Sequence, residues 1–431
     1  MTFRKTLFWL HLCTGVTAAS VVLIMSVTGV LLMYQKQITA WADRAYRVAM
    51  PASGTTRLSL ETLLFKARQS QSATPETVTW RADSTAPVAL GFGRETVLYF
   101  NPYTGEMLGA GTKGIRAFFR VVTGWHRWLG TDGGTRAIAR AVTGACNLGF
   151  LFLVVSGFFI WWPKQWTWPQ LRNVTWFRRG LPAKARDFNW HNAIGFWSAI
   201  PLFVVVLSAT VISYPWASNL VYRLVGEEPP GQNPPSPRRS GVLQSRQVAG
   251  AGGLKWAEMD GQTAEPSSDL NLNSIDSLWI WADQSLPGWQ SLSVRVPRSM
   301  SAPLVFTIDQ GNGGQPQMRA QLTLDRTTGA VLQWEPFSSL TAGRRVRTIL
   351  RFAHTGEVAG IVGQTIAGIV SAGAAVLVYT GLALTWRRFS AWRVRRFSQQ
   401  AVDGCEPRKL PDLRGSSLAP PYHGDRREEE T

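Results

Sequence analysis

The side chains in this sequence best suited to chemistry are its five histidines, His11, His126, His191, His354 and His423. The first four stand at the edges of long apolar stretches, and the fifth lies in a polar tail. An imidazole in or beside a bilayer is costly without a partner, so each of the four is a candidate functional residue. His11 and His191 lie about one and a half helical turns beyond the basic residues Lys5 and Arg186, at matching depth. His126 and His354 precede the other two stretches and so belong near the opposite membrane face. The pattern predicts two pairs, His11 with His191 and His126 with His354. Two imidazoles do not close a zinc site, which wants four ligands. They do fit the axial positions of a b-type haem, whose porphyrin supplies the other four nitrogens. Gly15 and Gly195, one turn after their histidines, would leave room for a flat macrocycle. Arg120, Arg127, Arg347 and Arg351 suit propionates or an acidic substrate. The plainer alternative is that a histidine at a helix end is an interfacial residue.

Four elements must carry these side chains. The apolar runs 7–34, 141–162, 188–214 and 358–386 each reach the ~20 residues a helix needs to cross a hydrocarbon core. Arg4 and Lys5 give the first run the look of a signal peptide. Apolar Val27-Thr28-Gly29-Val30-Leu31-Leu32 continues where a cleavage site would stand, so a retained anchor is predicted. The formal charge is +18, yet no nucleic-acid-binding module is recognisable and the basic residues flank apolar helices. That distribution points to membrane lipid, with no nucleic-acid partner. Cys13, Cys146 and Cys405 show no CxxC or CxxCH spacing.

Lys164, Arg172, Arg178, Arg179, Lys184 and Arg186 crowd the short 163–187 segment, and Arg387, Arg388, Arg393, Arg395 and Arg396 follow the last run. By the positive-inside rule both are cytoplasmic, as are both termini. The predicted organisation is helix 1–34, outside region 35–137, helix 138–162, cytoplasmic loop 163–187, helix 188–215, outside region 216–352, helix 353–387 and cytoplasmic tail 388–431. In a bacterial inner membrane the outside regions are periplasmic. Pro, Gly and Ser mark 226–263 as an insertion.

The two halves repeat one plan. Asn101-Pro102-Tyr103-Thr104-Gly105 and Asp325-Arg326-Thr327-Thr328-Gly329 both read as turns between strands. Helical candidates at 60–69 and 274–285 and strands at 78–82 and 292–296 precede them. Each outside region therefore reads as a small α+β domain. His11-x3-Gly15 matches His191-x3-Gly195, which implies a parallel duplication about an axis along the membrane normal. Thr28-Gly29, Ser156-Gly157, Ser208-Ala209 and Thr380-Gly381 read most simply as close helix contacts. Trp161, Trp162, Trp166 and Trp168 read as an interfacial belt.

Several motifs resemble the PepSY-associated transmembrane-helix proteins, a family that includes haem-containing ferric-siderophore reductases. They are His11 with Thr28-Gly29, the run Trp125-His126-Arg127-Trp128-Leu129-Gly130, Ser156-Gly157 with Trp161-Trp162-Pro163, the run Trp190-His191-Asn192-Ala193-Ile194-Gly195, and His354-Thr355-Gly356 with Thr380-Gly381. The resemblance implies a membrane α-helical fold, a four-helix transmembrane bundle with two periplasmic PepSY-like domains. It also implies two bis-histidine haem b groups on the pairs named above. The departures are Ser208-Ala209, which lacks the glycine, and the long 226–263 loop.

The expected function is transmembrane electron transfer that reduces ferric iron, as a ferric siderophore or another ferric chelate, on the periplasmic side. No nucleotide- or flavin-binding fold fits in the cytoplasmic segments, so the donor must be external, a quinol or a cytosolic reductase. The alternatives are a non-redox transporter of iron complexes and a haem-free PepSY sensor or scaffold. The scarcity of ionised residues within the spans, with Glu357 marginal, disfavours the transporter.

Overall fold

A computed structural model of the chain describes residues 3–403 apart from 71–72, 94–95, 163–166, 231–274, 298 and 300–301. Trp166, Cys405, His423, the tail beyond 403 and most of the expected 226–263 insertion lie outside the described residues.

Eleven helices are described: α1 (Phe3–Leu32), α2 (Gln35–Ala42), α3 (Leu60–Ser70), α4 (Lys113–Trp128), α5 (Arg136–Trp161), α6 (Trp168–Thr175), α7 (Ala183–Ser213), α8 (Pro215–Leu224), α9 (Ile275–Ser285), α10 (Ala342–His354) and α11 (Gly360–Asp403). Four stretches, Phe3–Leu32, Gly133–Trp161, Ala183–Ser213 and Glu357–Ser398, are long and apolar enough to cross a membrane. The thirty residues of α1 extend about 45 Å, more than the roughly 30 Å of a hydrocarbon core. The expected spans are present, with two corrections. His354 does not open the fourth span. It closes the amphipathic α10, and Gly356, at φ +73°, turns the chain before α11 begins. The 163–187 segment is not all loop, since it carries α6.

Polar side chains link the spans where apolar packing alone would leave register unspecified. Asn147 of α5 donates to the Val206 carbonyl (3.2 Å) and to Thr210 Oγ1 (2.9 Å) on α7. Gln364 of α11 donates to the Met33 carbonyl at 3.0 Å and accepts from Gln37 at 2.7 Å. Glycines set two close approaches. A Cβ on Gly149 would meet Thr14 at 3.2 Å, and one on Gly373 would meet Ile194 at 3.1 Å.

Eight strands are described, and the inner ones show the period-two burial of a sheet with one buried face. They are β1 (Thr77–Arg81), β2 (Val88–Phe92), β3 (Thr96–Phe100), β4 (Met107–Ala110), β5 (Ser291–Arg295), β6 (Leu304–Asp309), β7 (Arg319–Leu324) and β8 (Val331–Pro336). All form one antiparallel sheet in the order β4-β3-β2-β1-β5-β6-β7-β8. The two outside regions, expected as separate α+β domains, therefore share a single sheet and core. The join is β1 on β5, paired from Thr77↔Arg295 to Arg81↔Ser291. Neither half could cover its inner edge alone, and pairing the two edges satisfies both rows of backbone donors and acceptors. α3 and α9 cover one sheet face, where Leu63, Ala67, Leu278 and Ala282 pack on Val78, Leu90, Leu292, Val294, Phe306 and Ile308.

The predicted turns form as read. Asn101 Oδ1 accepts from the Tyr103 and Thr104 amides, and Asp325 Oδ1 from those of Thr327 and Thr328. Gly105 and Gly329 both take φ +70°. The chain divides into two units, residues 1–384 and 385–431. In the second, Phe389 stacks on Trp392 with centroids 5.8 Å apart, and the Arg396 guanidinium lies 4.9 Å from the Trp392 ring centre.

Candidate functional site

The four histidines ride on helices of two kinds. His11 and His191 lie within the spans α1 and α7, whereas His126 and His354 lie in the last turns of the amphipathic α4 and α10. Leu129 (φ 52°) and Gly130 (φ +73°) stop α4 just past His126, as Gly356 does past His354. Both of these helices present a basic, polar face and an apolar face that holds the imidazole against the bundle.

Each imidazole is fixed through Nδ1 by one particular turn of a neighbouring span. Nδ1 of His11 lies 2.8 Å from Ser156 Oγ on α5, that of His126 lies 2.9 Å from Thr28 Oγ1 on α1, and that of His191 lies 3.0 Å from Thr380 Oγ1 on α11. His354 Nδ1 lies 2.9 Å from the Val205 carbonyl on α7. The fourth contact is the same device with another atom, because Ser208, three residues on, donates its own hydroxyl to that carbonyl at 2.8 Å.

The tautomer follows. A carbonyl only accepts, so Nδ1 of His354 carries the proton. The three hydroxyls spend their own protons on their helices: Thr28 on Ile24 (2.6 Å), Thr380 on Val376 (2.8 Å) and Ser156 on Leu153 (3.3 Å). Each hydroxyl oxygen therefore accepts from Nδ1–H, and the Nε2 lone pair of every ring is left available. That is the state in which histidine ligates a metal, with the second nitrogen held by an oriented acceptor.

The small residue after each hydroxyl lets the ring approach. A Cβ on Gly157 would stand 3.5 Å from His11 Cε1, one on Gly381 3.5 Å from His191 Cε1, and one on Gly29 3.7 Å from His126 Cε1. The hydroxyl–glycine pairs, read from sequence as helix contacts, are thus the seats of the imidazoles. Sequence reasoning singled them out and missed this role. The signal available was a hydroxyl residue followed by glycine or alanine on every span, as many as there are histidines outside the tail.

His126 and His354 face one another, with ring centroids 6.2 Å apart and planes inclined by 48°. Two imidazoles on opposite sides of one ion, each with a bond of about 2.0 Å, place their centroids roughly 6 Å apart. His11 and His191 are seated on hydroxyls of α5 and α11. The pairs are well separated, since α1 runs from His11 to Thr28, the support of His126, over about 26 Å. Among the described residues no group of three or more His, Cys, Asp or Glu could hold a metal ion. An ion held by two imidazoles would need further ligands beyond these side-chain types. A tetrapyrrole with four coplanar nitrogens meets that requirement, and the donor set fits it.

Gly15 and Gly195 occupy matching surroundings. The nearest atom to an added Cβ is Leu153 Cδ2 at one and Leu377 Cδ2 at the other, both at 3.8 Å. Protein packing does not demand glycine at either position. Arg127 and Arg351 are exposed, and their guanidinia lie 4.8 Å from the Trp128 ring centre and 5.8 Å from that of Phe352. Neither has a carboxylate partner among the described residues.

The support for α4 is a buried carboxylate that sequence reasoning passed over. Asp43 accepts from Tyr99 (2.9 Å), from the amide and hydroxyl of Thr112 (both 2.8 Å) and from Arg116 (2.6 Å). Burial by itself would raise its pKa, but the Arg116 guanidinium and the Thr112 hydrogen bonds outweigh that and hold it at about 2. On the other side, Arg344 of α10 is bound by Glu335 of β8.

No curated protein matches this chain. The family model described as the PepSY-associated TM region matches residues 8–388, which takes in most or all of each span and the whole sheet. The chain therefore belongs to the PepSY-associated transmembrane family, and is a multi-pass membrane protein of that family.

Proposed function

We propose that this protein is a transmembrane electron conduit that reduces ferric iron, presented as a ferric siderophore or a similar chelate, on the sheet side of the membrane. The observation that carries the reading is the common seating of four imidazoles, each with Nδ1–H engaged and Nε2 open, together with the 6.2 Å spacing of the His126–His354 rings. His11 with His191 and His126 with His354 would each hold one b-type haem. Bound there, haem supplies a one-electron Fe(III)/Fe(II) couple, and the chain sets its spacing, surroundings and access.

The chain's residues have definable tasks. Thr28, Ser156, Thr380 and the Val205 carbonyl hold the rings in one tautomer and orientation. Arg127 and Arg351, exposed beside the sheet-side pair, suit propionate carboxylates or an anionic chelate. The paired strand sets and the matched histidines support descent from a duplicated half. The basic 163–187 segment and the arginines after the fourth span support cytoplasmic termini, which would make the sheet periplasmic in a bacterial inner membrane. The donor would be a quinol or a cytosolic reductase. Reduction has a physical purpose here, since oxygen ligands that hold Fe(III) tightly hold Fe(II) far less well.

The test is the visible spectrum and haem content of protein purified from haem-replete cells. Two haem b per polypeptide are expected, and His126→Ala should retain one. A colourless protein, or full haem content in the variant, would refute the proposal.

A further inference from the structure

The sheet face turned away from the hydrophobic core carries a polar strip on the β1–β5 seam. Thr77, Thr79 and Arg81 alternate with core residues along β1, and Ser291, Ser293 and Arg295 do so along β5. The strands therefore repeat one pattern, hydroxyl–apolar–hydroxyl–apolar–arginine, and run antiparallel. Thr79 lies opposite Ser293 with their hydroxyls 3.0 Å apart, and an arginine stands at each end of the seam. Register extends one row across the sheet through Tyr99, Ala89, Thr79, Ser293, Thr307, Gln321 and Glu335.

The two ends of that row are the anchor points of α4 and α10. Arg116 of α4 donates to Tyr99 Oη at 3.2 Å, and Arg344 of α10 pairs with Glu335. In both helices the histidine follows ten residues after the anchoring arginine, about 15 Å along the axis. Six strand intervals separate the anchors, about 29 Å at ~4.8 Å each. The histidines at the far ends close to 6.2 Å between ring centroids. The two helices thus converge from a broad polar roof onto the imidazole pair.

The charge of this space is positive. The carboxylates bordering it, Asp43, Asp309 and Glu335, are each paired with an arginine: Arg116, Arg319 and Arg344. Arg81 and Arg295 are exposed and have no carboxylate partner among the described residues. Arg347 and Arg351 of α10 add two more exposed guanidinia in the same state.

Resting on the reading given under Proposed function, we infer that the β1–β5 seam docks the iron complex. Its ligand class is an anionic, oxygen-rich ferric chelate, held by the four hydroxyls and clasped at both ends by Arg81 and Arg295. Hydroxyls hydrogen-bond catecholate or carboxylate oxygens, and guanidinia answer the net charge. The roof would hold the chelate above the imidazole pair.

The test uses the full-length protein in detergent and a redox-inert probe, the gallium(III) complex of a tris-catecholate ligand, with binding followed by calorimetry. Because gallium accepts no electron, the result is independent of haem content. Binding can therefore fail while the electron-conduit reading stands, and the reverse. Arg81→Gln with Arg295→Gln should weaken binding about tenfold and flatten its salt dependence. Thr79→Val with Ser293→Val should weaken it severalfold, and a neutral gallium tris-hydroxamate should change less than about twofold in the arginine variant. Unchanged affinity in both double variants overturns the inference. So does displacement of the probe by an equal concentration of inorganic phosphate, which would mark a general anion site.

Discussion

Replacing Thr28 by Val removes one oxygen at nearly constant volume and tests the seating of the imidazoles directly. Thr28 is buried, and its hydroxyl donates to the Ile24 carbonyl at 2.6 Å while accepting from His126 Nδ1–H at 2.9 Å. Without that oxygen Nδ1–H loses its acceptor, and the ring can rotate or change tautomer. A buried donor deprived of its acceptor costs about 1–3 kcal/mol. At 1.4 kcal/mol per tenfold, that is about a 5- to 140-fold loss of affinity for the proposed cofactor at the His126–His354 pair, overlapping the ~10- to 100-fold found for partners of metal-ligating histidines. The assay is haem retention during transfer to a haem scavenger, read by optical spectrum. Of the two haems proposed above, one should leave faster in the variant while the His11–His191 site is unaffected. Thr380→Val should produce the converse. Equal retention of both haems in Thr28→Val would refute the claim that this hydroxyl orients the ring.

Two further outcomes follow from the supports. Asp43→Asn should remove a pH-dependent term. Its folded pKa of about 2 lies below the 3.8 of an ordinary aspartate, so its contribution is present above about pH 4 and is lost as pH falls through about 2. Solvent screening keeps the corresponding contribution below about 2 kcal/mol. Thermal unfolding of the wild type should therefore fall in that window, whereas the variant starts lower and is flatter there. Gly356→Ala should cost at least about 1–3 kcal/mol, because φ is +73° and a Cβ would overlap the Gly363 carbonyl oxygen. A lowered melting temperature together with loss of the His354 seat is expected. Wild-type stability would show that this turn does not fix α10 against α11.

The spans were legible because length and apolarity alone decide whether a helix can cross a bilayer. The turns at Asn101–Gly105 and Asp325–Gly329 were legible because their chemistry is local. The single sheet was not, since β1 and β5 are separated by more than two hundred residues and nothing in either strand names its partner. Ending α10 at His354 depended on Gly356, whose positive φ is compatible with several continuations. The hydroxyl–glycine pairs were visible as motifs, but whether a small pair meets a helix or an imidazole depends on what lies opposite.

From residue types and spacing came four membrane helices, four candidate ligands and their grouping by depth, because these depend on periodicity and on the cost of polar groups in an apolar medium. Which oxygen holds each Nδ1, the merging of the two outside regions into one sheet, and the convergence of α4 and α10 on His126 and His354 were decided only in three dimensions. Those features arise from contacts between residues distant along the chain, and such contacts leave no local pattern to read.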